Sequence, residues 1–400
     1  MATENNNKTL NVPNLRFPEF SGEWDRIKVS DLLEFYPTNS LSWEQLDYSG
    51  EGIFNLHYGL IHKGLPTQVD VSENNLPTIK DEYIPKKMSL CQNGDVAFAD
   101  ASEDTNDVAK CIEFANCDEQ KIVCGLHTIH GRDTQNKTVT GYKGYAFSAR
   151  PFREQIRRLA QGTKIYSINS HNFSECYIGI PCKEEQSNIS NLLHTVDLRI
   201  ATQIKIIEKL ESLIRGIRAG ILNSIQSNWV NLSELIKEGV VSLKRGNVIP
   251  KFEYSEEFCY PVYSSSVHNN GLMGYYKSFM FDCEIISWSI DGGGHFFYRP
   301  RHKFSVTNVC GYLELDTLMF NYRFVCEVLS HQHSKMIFDY QSKAHPSVID
   351  TLYYLPLVPL YMQEKYAALF NAIYKKIETE KYCLKQYEEQ KKFLLYNMFI

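Results

Sequence analysis

The chain has 400 residues, 43% apolar and 22% charged, a composition that suits a globular protein of two to three domains and excludes a disordered or fibrous chain. Its net charge of −5 does not announce a nucleic-acid binder, so any such contact requires a local excess of cations. No apolar run of about 18 residues exists to span a bilayer, and the 11 cysteines, an odd number without a Cys-x-x-Cys pair, read as reduced thiols.

Residues 1–12 are polar and Asn-rich, expected as a disordered tail without an apolar signal core, which makes the cytoplasm the expected location. An aromatic entry segment follows, from Pro13 to Trp24, then a short amphipathic stretch from Ile27 to Phe35. A tight turn at Asn93-Gly94 leads into a strand, and Ile122 to Ile129 reads as another. Cys111, Cys117 and Cys124, with His127 and His130, come nearest to a ligand cluster. Zinc sites use tighter pairs, so no metal is expected there.

From Gly141 to Lys164 six basic residues (Lys143, Arg150, Arg153, Arg157, Arg158, Lys164) face one acid, Glu154. Arg150 to Ala160 reads as a basic helix and the Gly162-Thr163-Lys164 segment as the loop after it. Such a local excess suits phosphate; the ordinary alternative is a solvated helix face. A strand from Cys176 to Ile180 then runs to Pro181.

Gln186 to Leu222 carries apolar residues at Ile189, Leu193, Val196, Ile200, Ile207, Leu210, Ile214, Ile217 and Ile221, with Gln203 as a polar break. Steps of mostly 3 and 4 keep one seam of a long helix facing a partner helix. A fully helical stretch would span roughly 55 Å, too long for the core of one small domain. The partner comes from the same chain. Tyr366, Phe370, Ile373, Ile377, Leu384, Tyr387 and Leu394 repeat the seam, and a shift of 177 residues lays Gln203 on Glu380 and Ile214 on Lys391, the latter a mismatch. Two ordinary amphipathic helices that coincide are the bland alternative to a duplicated unit of globule plus helix.

The second half repeats the order of the first. Trp229 to Ile236 echoes Trp24 to Leu33, and Cys283 to Ile290 is strand-like, running into Asp291-Gly-Gly-Gly-His295. Phe320 to Leu329 stands where Arg150 to Ala160 stood, with Ser342-Lys343 in the place of Thr163-Lys164. Tyr353 to Val358 is the last strand, and Pro359 opens the second rod. The glycines suit a hairpin bend; a phosphate-loop reading lacks a helix directly after them. A nuclease reading could cite Asp107 with Glu119 and Lys121, a pattern common by chance.

Pro13 to Trp24, Asn93 to Phe98, Leu159 to Lys164, and Pro181-Cys-Lys-Glu-Glu-Gln186 with its rod together resemble the specificity subunits of type I restriction-modification systems. The second half departs from that pattern, with Met362-Gln363-Glu364 in place of Glu184-Glu185-Gln186. The resemblance implies a mixed α/β fold: two globular α/β target recognition domains separated by two long antiparallel, coiled-coil-like helices, with a pseudo-two-fold internal repeat. The expected divisions are 13–182 and 223–358 for the two domains, 183–222 for the central helix and 359–400 for the C-terminal helix.

The resemblance also implies that each domain reads one half of an asymmetric bipartite site in double-stranded DNA. The helices would dock two methyltransferase (modification) subunits, and the full complex would add restriction/translocase subunits. S-adenosylmethionine, ATP and Mg would sit on those partners, with no cofactor, no catalytic residue and no membrane contact in this chain. The absence of an Asn-Pro-Pro-Tyr or P-loop motif agrees with a non-catalytic role. Candidate DNA contacts are Lys143, Arg150, Arg153, Arg157, Gly162, Thr163 and Lys164 in the first half. In the second half they are His295, Arg299, Arg301, Ser342 and Lys343, beside His302 and Lys303. A non-catalytic two-module interaction adaptor built on paired helices is the other reading.

Overall fold

A proline-free seam that outlasts a single core should form one unbroken helix, and both rods do. In the computed structural model, which describes residues 11–72, 76–117, 120–250, 257–266, 268–291, 293–336 and 343–400, the first is Lys183–Ser224 and the second Leu360–Asn397. Glu184 and Glu185 in the first turn of the former suit the positive end of the helix dipole. The chain divides into two compact units, Met1–Ile204 with Cys383–Ile400, and Lys205–Tyr382. Each unit holds part of both helices. No helix among the described residues is long and apolar enough to cross a membrane.

In the first unit a five-stranded sheet runs in the order Glu34–Tyr36, Thr128–Arg132, Val96–Ala99, Cys111–Ala115, Gln68–Asp70, antiparallel except for its last pair. A four-stranded sheet places Lys121–Cys124 parallel to Ile53–Leu56, beside Thr78–Ile79 and Leu46–Asp47. Val96–Ala99 is buried along its whole length, because sheet neighbours and both faces cover it. Gly94 has φ +83° in the turn before it, as the Asn-Gly pair requires. The expected strand from Ile122 to Ile129 is instead two strands, broken at Gly125 to His127, where His127 takes φ +54°. The core of this unit gathers Phe98, Phe147, Phe152 and Phe173 with Ile189, Leu193 and Val196 of the first rod and Leu394 and Met398 at the end of the second.

In the second unit one six-stranded sheet runs Val241–Arg245, Cys310–Leu315, Phe281–Ser289, Phe296–Val306, Tyr260–Tyr263, Leu272–Tyr276. The glycine-rich segment is the bend between Phe281–Ser289 and Phe296–Val306, with Gly293 and Gly294 at φ +81° and +82° and a strand after it, which excludes the phosphate-loop reading. Gly311 is needed where it lies, since a Cβ there would meet Trp288 at 2.0 Å. Within this unit the rods run antiparallel, with Lys381 on Glu211 and Arg218 on Tyr374.

The frame repeats where the sheets do not. In each unit the entry strand pairs antiparallel with the strand that precedes the rod, Asp25–Lys28 with Tyr177–Ile180 and Trp229–Asn231 with Tyr354–Pro356. Val29 N donates to Cys176 O and Leu232 N to Tyr353 O, which makes Val29 the counterpart of Leu232. The tryptophan echo is therefore two residues out of step. Trp24 is buried against Phe399, whereas Trp229 is partly exposed.

A buried glutamine fixes the entry to each rod. Gln186 Oε1 accepts from Val139 N at 2.9 Å, and its Nε2 donates to Pro181 O at 2.9 Å and Lys137 O at 3.1 Å. Gln363 Oε1 accepts from Asn321 N at 2.9 Å, and its Nε2 donates to Val358 O at 2.7 Å and Met319 O at 2.9 Å. The shift of 177 residues carries Gln186 onto Gln363, so the second half keeps the residue that matters and departs only beside it. Glu185, paired bidentately with Arg16 in the first unit, gives way to Met362 in the second.

Removing either glutamine orphans three backbone groups, one in a buried contact and two in part-buried ones. Gln186→Ala and Gln363→Ala should each cost about 2–4 kcal/mol in urea unfolding, while Glu184→Ala, at an exposed site of the same helix, should stay within about 0.5 kcal/mol.

Candidate nucleic-acid interface

Helix Arg150–Leu159 follows helix Tyr142–Ser148 through Ala149, with Pro151 in its first turn where a missing N–H costs nothing. Phe152 and Ile156 anchor it to the core. The basic residues around it have unequal fates. Lys143 is buried, with Nζ 2.9 Å from Thr138 Oγ1 and 3.2 Å from Glu113 Oε1. Burial pushes the Glu113 carboxyl up, while Lys143 and the Gly144 and Gly141 N–H groups pull it down. Lys143 is thus a core ion pair and not a phosphate contact, a correction to the reading from local charge.

Arg150 pairs with Glu154 and stacks at 4.0 Å on Tyr396 of the second rod. Arg153 donates to Asn106 O at 2.6 Å, and burial pulls its guanidinium down to about 10. It ties down the preceding loop and does not face solvent freely. Arg157 and Arg158 are exposed, Arg157 lying 3.3 Å from Asn106 Oδ1.

The loop after this helix has the geometry expected of a backbone contact. Gln161 and Ser167 exchange both backbone hydrogen bonds, at 2.9 and 2.8 Å, closing a hairpin whose tip is Gly162 to Ile165. Gly162 takes φ +142°, and a Cβ there would lie 1.9 Å from Ile165 O, so no other residue fits. Thr163 and Lys164 are exposed, and so is Ile165, at 62%. An apolar side chain beside a lysine at a loop tip offers both a base contact and a phosphate contact. Sequence reasoning missed Ile165 because nothing in its spacing separates it from a core residue.

In the second unit Arg299 is also a core residue. Its Nε donates to Ser287 Oγ at 3.0 Å, its Nη1 to Asn270 O at 2.8 Å, and its guanidinium lies 3.7 Å from the Tyr263 ring. Burial pulls it down to about 10. It holds the segment around Gly271 onto the sheet, which corrects its assignment as a DNA contact. His295 is exposed at the hairpin end beside His333, which burial and His295 together pull down to about 4. Arg301 is exposed, 3.6 Å from Asp282, and Lys343 pairs with Asp291 at 3.1 Å. Ser342 and Glu119 lie outside the described residues.

Beside these, Met273, Tyr275, Lys277 and Phe279 are exposed, one residue in two along and just past the strand Leu272–Tyr276. Lys303 Nζ lies 4.9 Å from the Phe279 ring. Two exposed aromatic rings with a lysine between them in sequence can supply stacking and charge together. The period of two is visible in the sequence once the strand is known.

Along the rods Ile189, Leu193, Val196, Gln203, Ile207, Phe370, Ile377 and Glu380 are buried, while Ile200, Ile373 and Leu384 are half-buried. The mismatched Lys391 lies 3.2 Å from Thr67 Oγ1 of the first globule and pairs with Asp197 of the first rod at 2.6 Å; Tyr145 OH of the globule donates to that carboxylate at 2.9 Å. In the second unit Arg218 pairs with Glu327 at 2.6 Å and donates to Tyr374 OH at 3.0 Å. Both units therefore lock globule to rods with a tyrosine, an acid and a cation, the tyrosine and acid exchanged between globule and rod.

The family model for the type I restriction modification DNA specificity domain matches residues 23–212 and 230–389. The specificity subunit of the Mycoplasma pneumoniae type I restriction enzyme MpnII is 30% identical over 139 residues, 34% of this chain and 42% of that one. Three further Mycoplasma pneumoniae relatives, at 35%, 29% and 40% identity, are likewise matched over less than half of their length. The crystal structure of the type I restriction-modification S subunit from M. genitalium aligns with a TM-score of 0.60 at 17% identity, over 97% of this chain and 99% of that chain. A chain from a study of type I R-M complex assembly and conformational transition aligns with a TM-score of 0.54 at 12% identity, over 93% and 96%. At these identities the structures speak for the fold.

Lys143→Ala should cost about 3 kcal/mol in thermal or urea unfolding, because it strands Glu113 in the core. Lys164→Ala should leave stability within about 0.5 kcal/mol. Equal losses for the two would contradict the division into core and surface cations.

Proposed function

Because the chain belongs to the type I restriction-modification DNA specificity family, we propose that it is the non-catalytic, sequence-reading subunit of a methyltransferase complex. Each family domain reads one half of an asymmetric bipartite site in double-stranded DNA. The observation that carries this reading is the repeat itself. Two units share one clamp, Gln186 and Gln363, yet present different sheets. A shared frame with divergent readers suits two unlike half-sites, as symmetric dimers suit like ones.

In the first unit the Gly162-Thr163-Lys164 tip and Arg157 meet DNA; in the second, Arg301, Lys303 and the Tyr275, Lys277, Phe279 face do so, with His295 and Lys343 at its edge. The long helices set the spacing and dock two modification subunits, which carry S-adenosylmethionine. Restriction/translocase subunits, with ATP and Mg, complete the larger assembly. Large apolar side chains stand exposed on both helices, Leu198, Ile204 and Leu213 on the first and Leu369, Tyr382 and Phe393 on the second. The modification subunits would cover some of these side chains.

Methylome sequencing of cells that express the modification subunits with and without this chain tests the reading. One bipartite motif should appear with the chain and vanish without it; an unchanged pattern would sink the proposal. Insertion of about one helical turn at Gly216 and its counterpart in the second rod should alter the spacer and leave both half-sites alone. In the assembled complex Lys164→Ala should weaken DNA binding at every sequence and lower the salt slope by about one. A two-module adaptor with no DNA role would show neither a motif nor a salt slope.

A further inference from the structure

One cluster in the first unit has no part in DNA reading. Cys91, Cys124 and His130 are buried, and one ligand atom from each lies within 4.8 Å of the others. The two sulfurs are 3.6 Å apart. Two thiolates on one tetrahedral zinc, each at about 2.3 Å, sit about 3.8 Å apart. The separation already approaches that of a bound pair.

The histidine is set for the same task. His130 Nε2 lies 2.8 Å from Asp95 Oδ2, and Arg132 holds that carboxylate through Nε at 2.8 Å and Nη2 at 2.7 Å. A carboxylate only accepts, so the proton of the neutral ring resides on Nε2 and the Nδ1 lone pair is free. Nδ1 is buried and has no hydrogen-bond partner. Buried polar atoms without partners are rare and call for an explanation. An imidazole turned by a carboxylate, with its other nitrogen open, is the usual arrangement of a histidine that ligates a metal.

The backbone holds all three ligands before any ion arrives. Cys91 N donates to Ile122 O at 2.8 Å, and Leu90 bridges Val123. Cys124 O accepts from Asn39 N at 3.1 Å and Asn39 Nδ2 at 3.2 Å. His130 sits in mid-strand, registered against Tyr36 and Ala97. The charges also close: Asp95 is matched by Arg132, and two thiolates would match one divalent cation, so the filled site would be neutral in the core.

We propose that Cys91 Sγ, Cys124 Sγ and His130 Nδ1 form a zinc site that fastens the four-stranded sheet to the five-stranded sheet of the first unit. Binding releases the two thiol protons to solvent as two Zn–S bonds and one Zn–N bond form. Cys124 also borders a surface cavity of about 580 Å³, lined by Pro37 to Leu41 and Pro85, which gives an ion an entry path. Cys111, Cys117 and His127, close in sequence, are not part of the set. Asp95, committed to Arg132 and His130, orients the histidine and is not itself in the ligand set; the proposed role of the ion is to hold the two sheets together.

The test is elemental analysis of the purified full chain, loaded with zinc and then equilibrated with a chromophoric chelator. About one zinc per chain should remain, with Cys117→Ser unchanged and Cys91→Ser, Cys124→Ser and His130→Gln near zero. Asp95→Asn should weaken zinc binding about 10–100-fold. Wild-type chain loaded with cobalt should show a thiolate-to-cobalt charge-transfer band and tetrahedral d–d bands, a readout that needs no variant. Retention of zinc by His130→Gln, or a folded wild-type chain that holds neither zinc nor tetrahedral cobalt, would overturn the proposal.

Discussion

Each half of this protein hangs on one buried amide. A carboxamide can accept from one backbone group and donate to two others from a single planar head, and glutamine carries it one methylene further from the backbone than asparagine does. Gln186 and Gln363 do this where a strand ends and a long helix begins. The backbone groups they satisfy belong to two places at once, the carbonyl that opens the helix and the link that leads into a globule helix. The direction in which the rod leaves the globule is therefore fixed by hydrogen bonds that would cost dearly if orphaned, and not by the seam, which could slide by a turn.

The second lock works on the flank of the rod. Tyr145 and Lys391 meet on Asp197 in one unit, and Arg218 meets Glu327 and Tyr374 in the other. The chemistry is conserved between the units while the residues that supply it trade places. Glutamine clamp and polar lock leave the sheets free to differ, and they do: five plus four strands in one unit, six in the other. Divergence is cheap where the frame does not pass through the sheet.

The rods were legible because a seam of period near 3.5 and an unbroken run need no tertiary information. The order of elements was legible from the repeat. The fate of the cations was not. Lys143 and Arg299 look like surface charges in sequence, yet one neutralises Glu113 and the other is sandwiched by Tyr263 and Phe297. Long side chains bury their stems and, when a partner waits, their heads as well. That partner is remote in sequence, 30 residues away for Glu113, so local charge counting could not see it. The same holds for Cys91, Cys124 and His130, which no short spacing marks as a set and which the two sheets bring together.

Withdrawing the buried cations changes the electrostatics of the proposed interface. Of the six basic residues between Gly141 and Lys164, Lys143 is neutralised in the core, Arg150 is paired with Glu154 and Arg153 is desolvated against a loop. Arg157, Arg158 and Lys164 face solvent, as does Arg150 outside its ion pair. So few open cations in the first unit, on a chain of net charge −5, would give that unit little attraction to DNA of arbitrary sequence, because that attraction scales with the number of phosphates neutralised. On the proposed reading, such a protein would gain its discrimination from short-range contacts such as Ile165 at the loop tip and the aromatic residues around Tyr275. On the proposed reading, bulk affinity would come from the modification subunits. Weak attraction to the wrong sequence is an advantage for a subunit whose errors would direct an enzyme to the wrong site.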